Sequence, residues 1–194
     1  MSFSSDKTTK LWDIRSSKTT RSERIKGGCS NVTWSCDGNI ICYSNKDEDL
    51  LTVYDCRKST IMKQIDFKYQ ASEFQFEKGG NCLLVSSSLG EIHIYDAKTF
   101  NSTPLATVVA HFAPINSIHI EPSNKYFATA AADSLICLWD LQEMISYKVM
   151  KKGESSIKKI LYSYDSKFIA SISDENNIDI FEIDTGNCYK SLSS

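Results

Sequence analysis

The stretch Tyr126-Phe-Ala-Thr-Ala-Ala-Ala-Asp-Ser-Leu-Ile-Cys-Leu-Trp-Asp140 decides the fold, because its ending recurs along the chain. Trp12-Asp13, Tyr54-Asp55, Tyr95-Asp96 and Trp139-Asp140 each close a copy, and Phe181 with Asp184 closes a worn fifth. The five aspartates lie 42, 41, 44 and 44 residues apart. Such a period fits one supersecondary unit repeated in tandem. Each full copy cuts into four short runs. In the second they are Asn31–Trp34, Ile40–Ser44, Leu51–Tyr54 and Ile61–Ile65; in the fourth, Ile115–Ile120, Tyr126–Ala130, Leu135–Trp139 and Tyr147–Met150. The runs are rich in β-branched and aromatic residues, and Gly, Asn, Asp and Ser separate them. Alternation is plain in Glu91-Ile-His-Ile-Tyr95, where Ile92 and Ile94 share a face. No stretch sustains a 3.6-residue apolar period over three turns. The chain reads as all-β, with four antiparallel strands per copy.

Bulk composition agrees with a globular chain: 194 residues, 41% hydrophobic and 24% charged. A net charge of −2 argues against a strongly nucleic-acid-binding surface. Seven cysteines, odd in number and without a C-x-x-C pair, sit partly inside apolar runs, as Cys42 and Cys137 do. That usage points to a reducing compartment. Residues 1–13 contain no apolar core of a signal peptide, and no run approaches the roughly 18 apolar residues of a membrane span. Asn31-Val-Thr and Asn101-Ser-Thr therefore read as chance matches to the glycosylation triplet.

A period of about 40–45 residues with a Trp-Asp dipeptide resembles WD40 β-propeller blades. In that family a buried chain of hydrogen bonds links a His, an Asp, a Ser or Thr and the Trp. The fourth copy holds such a set in His111, Thr129, Asp133 and Trp139, with Thr129 four residues before Asp133 and Trp139 six after it. A buried carboxylate needs donors, and the imidazole and hydroxyl can relay bonds to the indole. The same His, Thr and Asp do not read as a hydrolytic site, since the chain ends on a Trp and no nucleophile elbow accompanies it. The first copy keeps Ser2, Asp6 and Trp12 at matching offsets; the other three lack the set and are expected to rest on apolar packing. The expected domain is a partial WD40 propeller over 1–194, with a remnant at 1–27 and blades at about 28–68, 69–109, 110–152 and 153–194. Those four and a half blades are fewer than a closed seven-bladed ring needs, so the expectation is part of a longer propeller with apolar faces left uncovered.

A search for chemistry finds no phosphate-binding loop, dinucleotide fingerprint, H-E-x-x-H or G-x-S-x-G. The histidines His93, His111 and His119 lack metal-ligand spacing, and His119 reads as a surface or hydrogen-bonded residue rather than a ligand. No catalytic residue, metal, cofactor, small-molecule substrate or membrane contact is expected. Asp47, Glu48 and Asp49, with Asp174 and Glu175, read as solvated turn acids or as an acidic rim facing a partner. Arg15, Lys18, Arg21, Arg24 and Lys26, with Lys151-Lys152 and Lys158-Lys159, read as solubilising charge, or as an indirect or weak RNA contact.

Beyond the repeat, the chain resembles the THO complex subunit 3 family of WD40 proteins over nearly its whole length. The residues that carry this are Ser5-Asp-Lys-Thr8, Leu11-Trp-Asp-Ile-Arg15, Trp34-Ser-Cys-Asp-Gly38, Asn45-Lys-Asp47, Phe67-Lys68, Lys125-Tyr-Phe-Ala-Thr129, Ala132-Asp-Ser-Leu135, Leu138-Trp-Asp140, Ile178-Asp-Ile180 and Thr185-Gly186. Asn45-Lys-Asp47 and Ile178-Asp-Ile180 fall in degenerate blades and discriminate best; Ala130-Ala131, in place of Gly-Ser, and the longer acidic turn at Glu48-Asp49 depart from the pattern. The resemblance implies a nuclear, non-catalytic scaffold of THO, within the TREX assembly that couples transcription to mRNA packaging and export. Its partners would be the other THO/TREX subunits. The turns between second and third strands offer candidate contacts in Lys7, Lys46, Asp47, Leu89 and Asn176. Leu89 reads either as an apolar anchor for a partner or as packed under a neighbouring loop. Another WD40 adaptor, such as a ubiquitin-ligase substrate receptor or a chromatin peptide reader, is the rival reading, and a metal enzyme using the acidic turns a more distant one.

Overall fold

A computed structural model describes residues 2–3, 8–24, 29–45, 49–175 and 177–193, which form strands and turns without a helix. Two compact units divide the chain, Met1–Lys68 and Tyr69–Ser194. In the first, β1 (Ser2–Phe3), β2 (Thr8–Asp13) and β3 (Lys18–Arg24) make one sheet, in chain order. A second sheet follows, of β4 (Cys29–Trp34), β5 (Ile40–Asn45), β6 (Leu50–Asp55) and β7 (Thr60–Asp66). The other unit holds three antiparallel four-stranded meanders. They are β8 (Ala71–Phe76), β9 (Cys82–Ser87), β10 (Glu91–Asp96) and β11 (Ala106–Val109); β12 (Ile115–Ile120), β13 (Tyr126–Ala131), β14 (Ile136–Asp140) and β15 (Ser146–Met150); and β16 (Ile157–Tyr162), β17 (Phe168–Ser173), β18 (Asn177–Glu182) and β19 (Cys188–Ser193). The architecture is an all-β, partial β-propeller.

The turns carry the period into the backbone. Ser17, Ser59, Phe100, Met144 and Gly186 all take positive φ ahead of the last strand of their sheets, and Gly38, Gly80, Asn124 and Ser166 do so between the first and second strands of the four-stranded ones. The repeated carboxylate explains the first series. Asp13, Asp55, Asp96 and Asp140 each accept the N–H two residues on, at 2.9, 2.8, 2.8 and 2.9 Å, closing an Asx turn that leads into the outer strand. Backbone N–H bonds hold the Asp13, Asp55 and Asp96 carboxyls below the usual carboxylate range. The largest cause is the N–H of Arg15 for Asp13, that of Lys58, a second donor three residues on, for Asp55, and that of Lys98 for Asp96. In the fifth copy the register corrects the sequence reading. Phe168 pairs Glu182 as Tyr126 pairs Asp140, so Glu182, and not Asp184, is the closing carboxylate. The Thr185 hydroxyl donates to it at 2.9 Å, as Thr99 donates to Asp96 at 3.0 Å.

Within the larger unit, neighbouring meanders pack face to face. Ala128, Ala130, Ile136, Leu138 and Met150 of β13–β15 meet Ile157, Ile160, Tyr162, Ile169 and Phe181 of the following sheet. On the opposite face, Phe127, Ala131, Cys137 and Trp139 cluster with Leu84 and Ile92. Fully burying one Ile or Leu side chain stabilises by about 1.5–3 kcal/mol, which makes these faces the main source of cohesion. The outer face of the final sheet is more exposed. Ile178 occupies the position of Ile136 and Leu192 that of Met150, yet Ile178 and Leu192 are each 41% exposed against 0% and 1%.

Side chains, not backbone ladders, join the inner strands. Ile118 N–H donates to Glu73 at 3.0 Å and Ile120 N–H to Gln75 at 2.9 Å, tying β12 to β8. Ile160 N–H donates to the Ser117 hydroxyl at 3.3 Å and Tyr162 N–H to His119 Nδ1 at 3.1 Å, tying β16 to β12. Each of these backbone donors faces away from its own sheet and is satisfied by the sheet before it.

Candidate docking surface

His111 precedes β12, Thr129 lies on β13, Asp133 in the β13–β14 turn and Trp139 on β14, and the fold gathers all four. His111 Nδ1 stands 2.9 Å from Asp133 Oδ2, and Nε2 stands 2.8 Å from Thr129 Oγ1. The indole N–H of Trp139 donates to the same hydroxyl oxygen at 2.9 Å. A carboxylate only accepts, so Nδ1 carries the ring proton and Nε2 accepts from the Thr129 hydroxyl. Burial pushes the His111 pKa below its ordinary value despite the opposing pull of Asp133, which keeps the ring neutral in neutral solution. Asp133 also accepts the Leu135 N–H at 3.1 Å and so holds the turn. The group is a structural clamp that fixes this turn and the chain entering the blade. In the first copy, Trp12 donates to Ser2 at 2.8 Å; Asp6 lies outside the described residues.

The copies without this set are not purely apolar, contrary to the sequence expectation. In β8–β11, the Tyr69 and Tyr95 hydroxyls meet at 3.0 Å. Tyr69 also stacks on His93 with ring centroids 4.0 Å apart, and His93 Nδ1 stands 3.1 Å from Thr107 Oγ1. In β16–β19, Asp179 is the hub, bound by Lys152 and by the Ser191 hydroxyl at 2.6 Å. Different polar residues thus bond at equivalent register positions, His93 and Asp179 both standing where Cys137 stands in β14.

Of the candidate contacts, Lys7, Lys46, Asp47 and Asn176 lie outside the described residues. Leu89 is 63% exposed, so it is not packed under a loop. Its turn is rigid. Gly90 O accepts the N–H groups of Ala110 and His111 at 2.9 and 3.0 Å, and Ser87 Oγ accepts from Leu89 and Glu91. Sequence reasoning missed Phe112, which follows His111 and is fully exposed at this same junction. An aromatic directly after the clamp histidine, in a loop, was the available signal. Leu89 and Phe112 flank the Gly90–His111 connection and give this end an apolar edge. Lys158 pairs with Asp174 at 3.1 Å, Lys151 with Glu154 at 2.8 Å and Lys159 with Glu73, so these lysines are largely matched by acids. His119 accepts a backbone N–H, which is a hydrogen-bonded role. Among the described residues, no group of three His, Cys, Asp or Glu side chains could hold a metal ion, and no helix is long and apolar enough to cross a membrane.

The WD domain, G-beta repeat family matches residues 102–140, the segment that contains the clamp. THO complex subunit 3 of Arabidopsis thaliana is 33% identical over 183 residues, covering 94% of this chain and 57% of that protein. The chain carries a WD40 repeat and is similar to THO complex subunit 3 over nearly its whole length. WD repeat-containing protein AAC3 of Dictyostelium discoideum is 30% identical over 84% of this chain and 35% of its own length. COMPASS component SWD3 of Saccharomyces cerevisiae is 23% identical over 87% of the chain and 52% of its own length. The chain thus spans about half the length of the curated relatives it matches, and no enzyme family is indicated among them.

Proposed function

We propose that this chain is a non-catalytic scaffold of a nuclear THO complex, within TREX, that supports mRNP assembly and mRNA export coupled to transcription. The observation that carries the reading is the 33% identity to THO complex subunit 3 over 94% of the chain. The structure supports a docking role through its rigid turns and the exposed apolar pair Leu89 and Phe112. In this reading the sheets are blades of a longer, seven-bladed propeller, and the uncovered Ile178 and Leu192 are positions for a further blade. Lys7, Lys46, Asp47 and Asn176 are further candidate partner contacts, and the ion-paired lysines leave RNA association indirect or weak. The partners are other THO and TREX subunits.

Affinity purification of the endogenously tagged protein from nuclease-treated nuclear extract tests this. Recovery of the other THO subunits is expected, with Leu89→Asp and Phe112→Asp reducing it while leaving the melting temperature unchanged. Recovery of ubiquitin-ligase or chromatin subunits instead overturns the assignment to THO and leaves a different WD40 adaptor.

A further inference from the structure

The sheet β16–β19 repeats β12–β15 at a constant offset. Thr129 and Ser171 occupy one position of the second strand, paired with Cys137 and Asp179. Trp139 and Phe181 occupy one position of the third, each beside the irregularity in pairing with the fourth strand. Asp133 corresponds to Glu175 in the turn, and His111 to Gly153 ahead of the first strand. The last sheet therefore keeps a hydroxyl and a carboxylate where the preceding one has them, but glycine replaces the ring between them.

A cavity of about 110 Å³ stands at that place, lined by Lys152, Gly153, Ser171, Glu175, Asp179 and Phe181 among others. An apolar cavity of ~150 Å³ is known to hold a benzene ring, so this volume suits a five-membered one. Ser171 is only 4% exposed, and among the described residues its hydroxyl has no hydrogen-bond partner. Phe181 brings no N–H in place of the indole that serves Thr129. Glu175 Oε1 accepts from the Ser155 hydroxyl at 2.6 Å and lies 3.4 Å from where a Cβ on Gly153 would sit, at the root of the missing ring. Lys152 is already committed to Asp179, which leaves the Glu175 carboxylate as the open acceptor.

We propose that this cavity binds an imidazole ring, the histidine side chain of a docking protein segment. The ring N–H donates to Glu175, and the other nitrogen bonds the Ser171 hydroxyl. His111 makes the same pair of contacts with Asp133 and Thr129 one sheet earlier. The inference rests on the docking reading only for the source of the ring. Binding of free imidazole does not depend on which complex the protein joins.

Amide NMR of the whole chain during titration with imidazole at pH 8 tests it. Saturable shifts at Gly153, Ser171 and Glu175 are expected, with a Kd on the order of millimolar. 1-Methylimidazole lacks the N–H for Glu175 and should bind about tenfold more weakly, as should imidazole to Ser171→Ala. Gly153→His should occupy the cavity internally and abolish the shifts. Absence of saturable shifts at these amides, equal binding of the methylated ring, or no effect of Ser171→Ala overturns the site. Ser171→Ala keeps the test decisive if Gly153→His fails to fold. A capped Gly-His-Gly peptide should bind at least as well as imidazole; its failure where imidazole succeeds overturns the side-chain source.

Discussion

Replacing His111 by alanine removes the middle of a buried chain of bonds, and the structure allows its cost to be worked out. Two hydrogen bonds vanish, one to the Thr129 hydroxyl at 2.8 Å and one to the Asp133 carboxylate at 2.9 Å. A neutral bond contributes about 1 kcal/mol and one to a charged group about 1.5–3 kcal/mol. Two features lower the total. Thr129 keeps the Trp139 indole as a partner, and the Asp133 side chain is 15% exposed, so water can reach it. The net expectation is a loss of about 2–3 kcal/mol, or roughly 5–15 °C in melting temperature for a unit of this size. Urea unfolding followed by Trp fluorescence measures it. A double-mutant cycle with Asp133→Ala should give a coupling of at least about 1 kcal/mol, since the two side chains touch. A loss below about 0.5 kcal/mol, typical of an ordinary surface substitution, together with zero coupling, would refute the clamp.

Burial is the first cause that lowers the pKa of His93, His111 and His119. The unfolded chain therefore takes up more protons as pH falls below about 6.5, and stability that is complete above that value declines toward pH 5. Urea midpoints between pH 8 and 5 should show this, with a smaller decline in His111→Ala. At Gly90, φ is +80° and an added Cβ would stand 2.2 Å from His111 O. Gly90→Ala should therefore cost about 3 kcal/mol or more by thermal unfolding. Charging the uncovered sheet face with Ile178→Asp should reduce light scattering during refolding at high concentration, with the melting temperature nearly unchanged.

What the sequence disclosed is what is local. The clamp was readable because Thr129, Asp133 and Trp139 sit at fixed short spacings on one hairpin, where residue type and register are tied together. The turn carboxylates were equally plain for Asp13, Asp55, Asp96 and Asp140. The fifth misled because residue identity was followed instead of register: Asp184 looked right, while Glu182 holds the position. The inner-strand bonds were hidden for a different reason. Glu73, Gln75, Ser117 and His119 share a job but no residue type, and their partners lie 43 to 45 residues away. Only the packing of whole sheets reveals that each is an acceptor. Phe112 and Tyr69 escaped notice because neither is among the residues that mark the repeat.

The inner-strand acceptors also fix the order in which the modules can be strung. Glu73 and Gln75 on β8, and Ser117 and His119 on β12, all present lone pairs to the strand that follows. At the corresponding points β16 carries Lys159, which only donates and reaches back to Glu73, and Leu161, which has no polar atom. A duplicate of β12–β15 grafted after β16–β19 would thus bring backbone donors to a strand unable to receive them. The modules look alike, but they cannot be shuffled like beads. Each inner strand specifies what may come next, so a recombined array would have to change these two positions before its new joint could close.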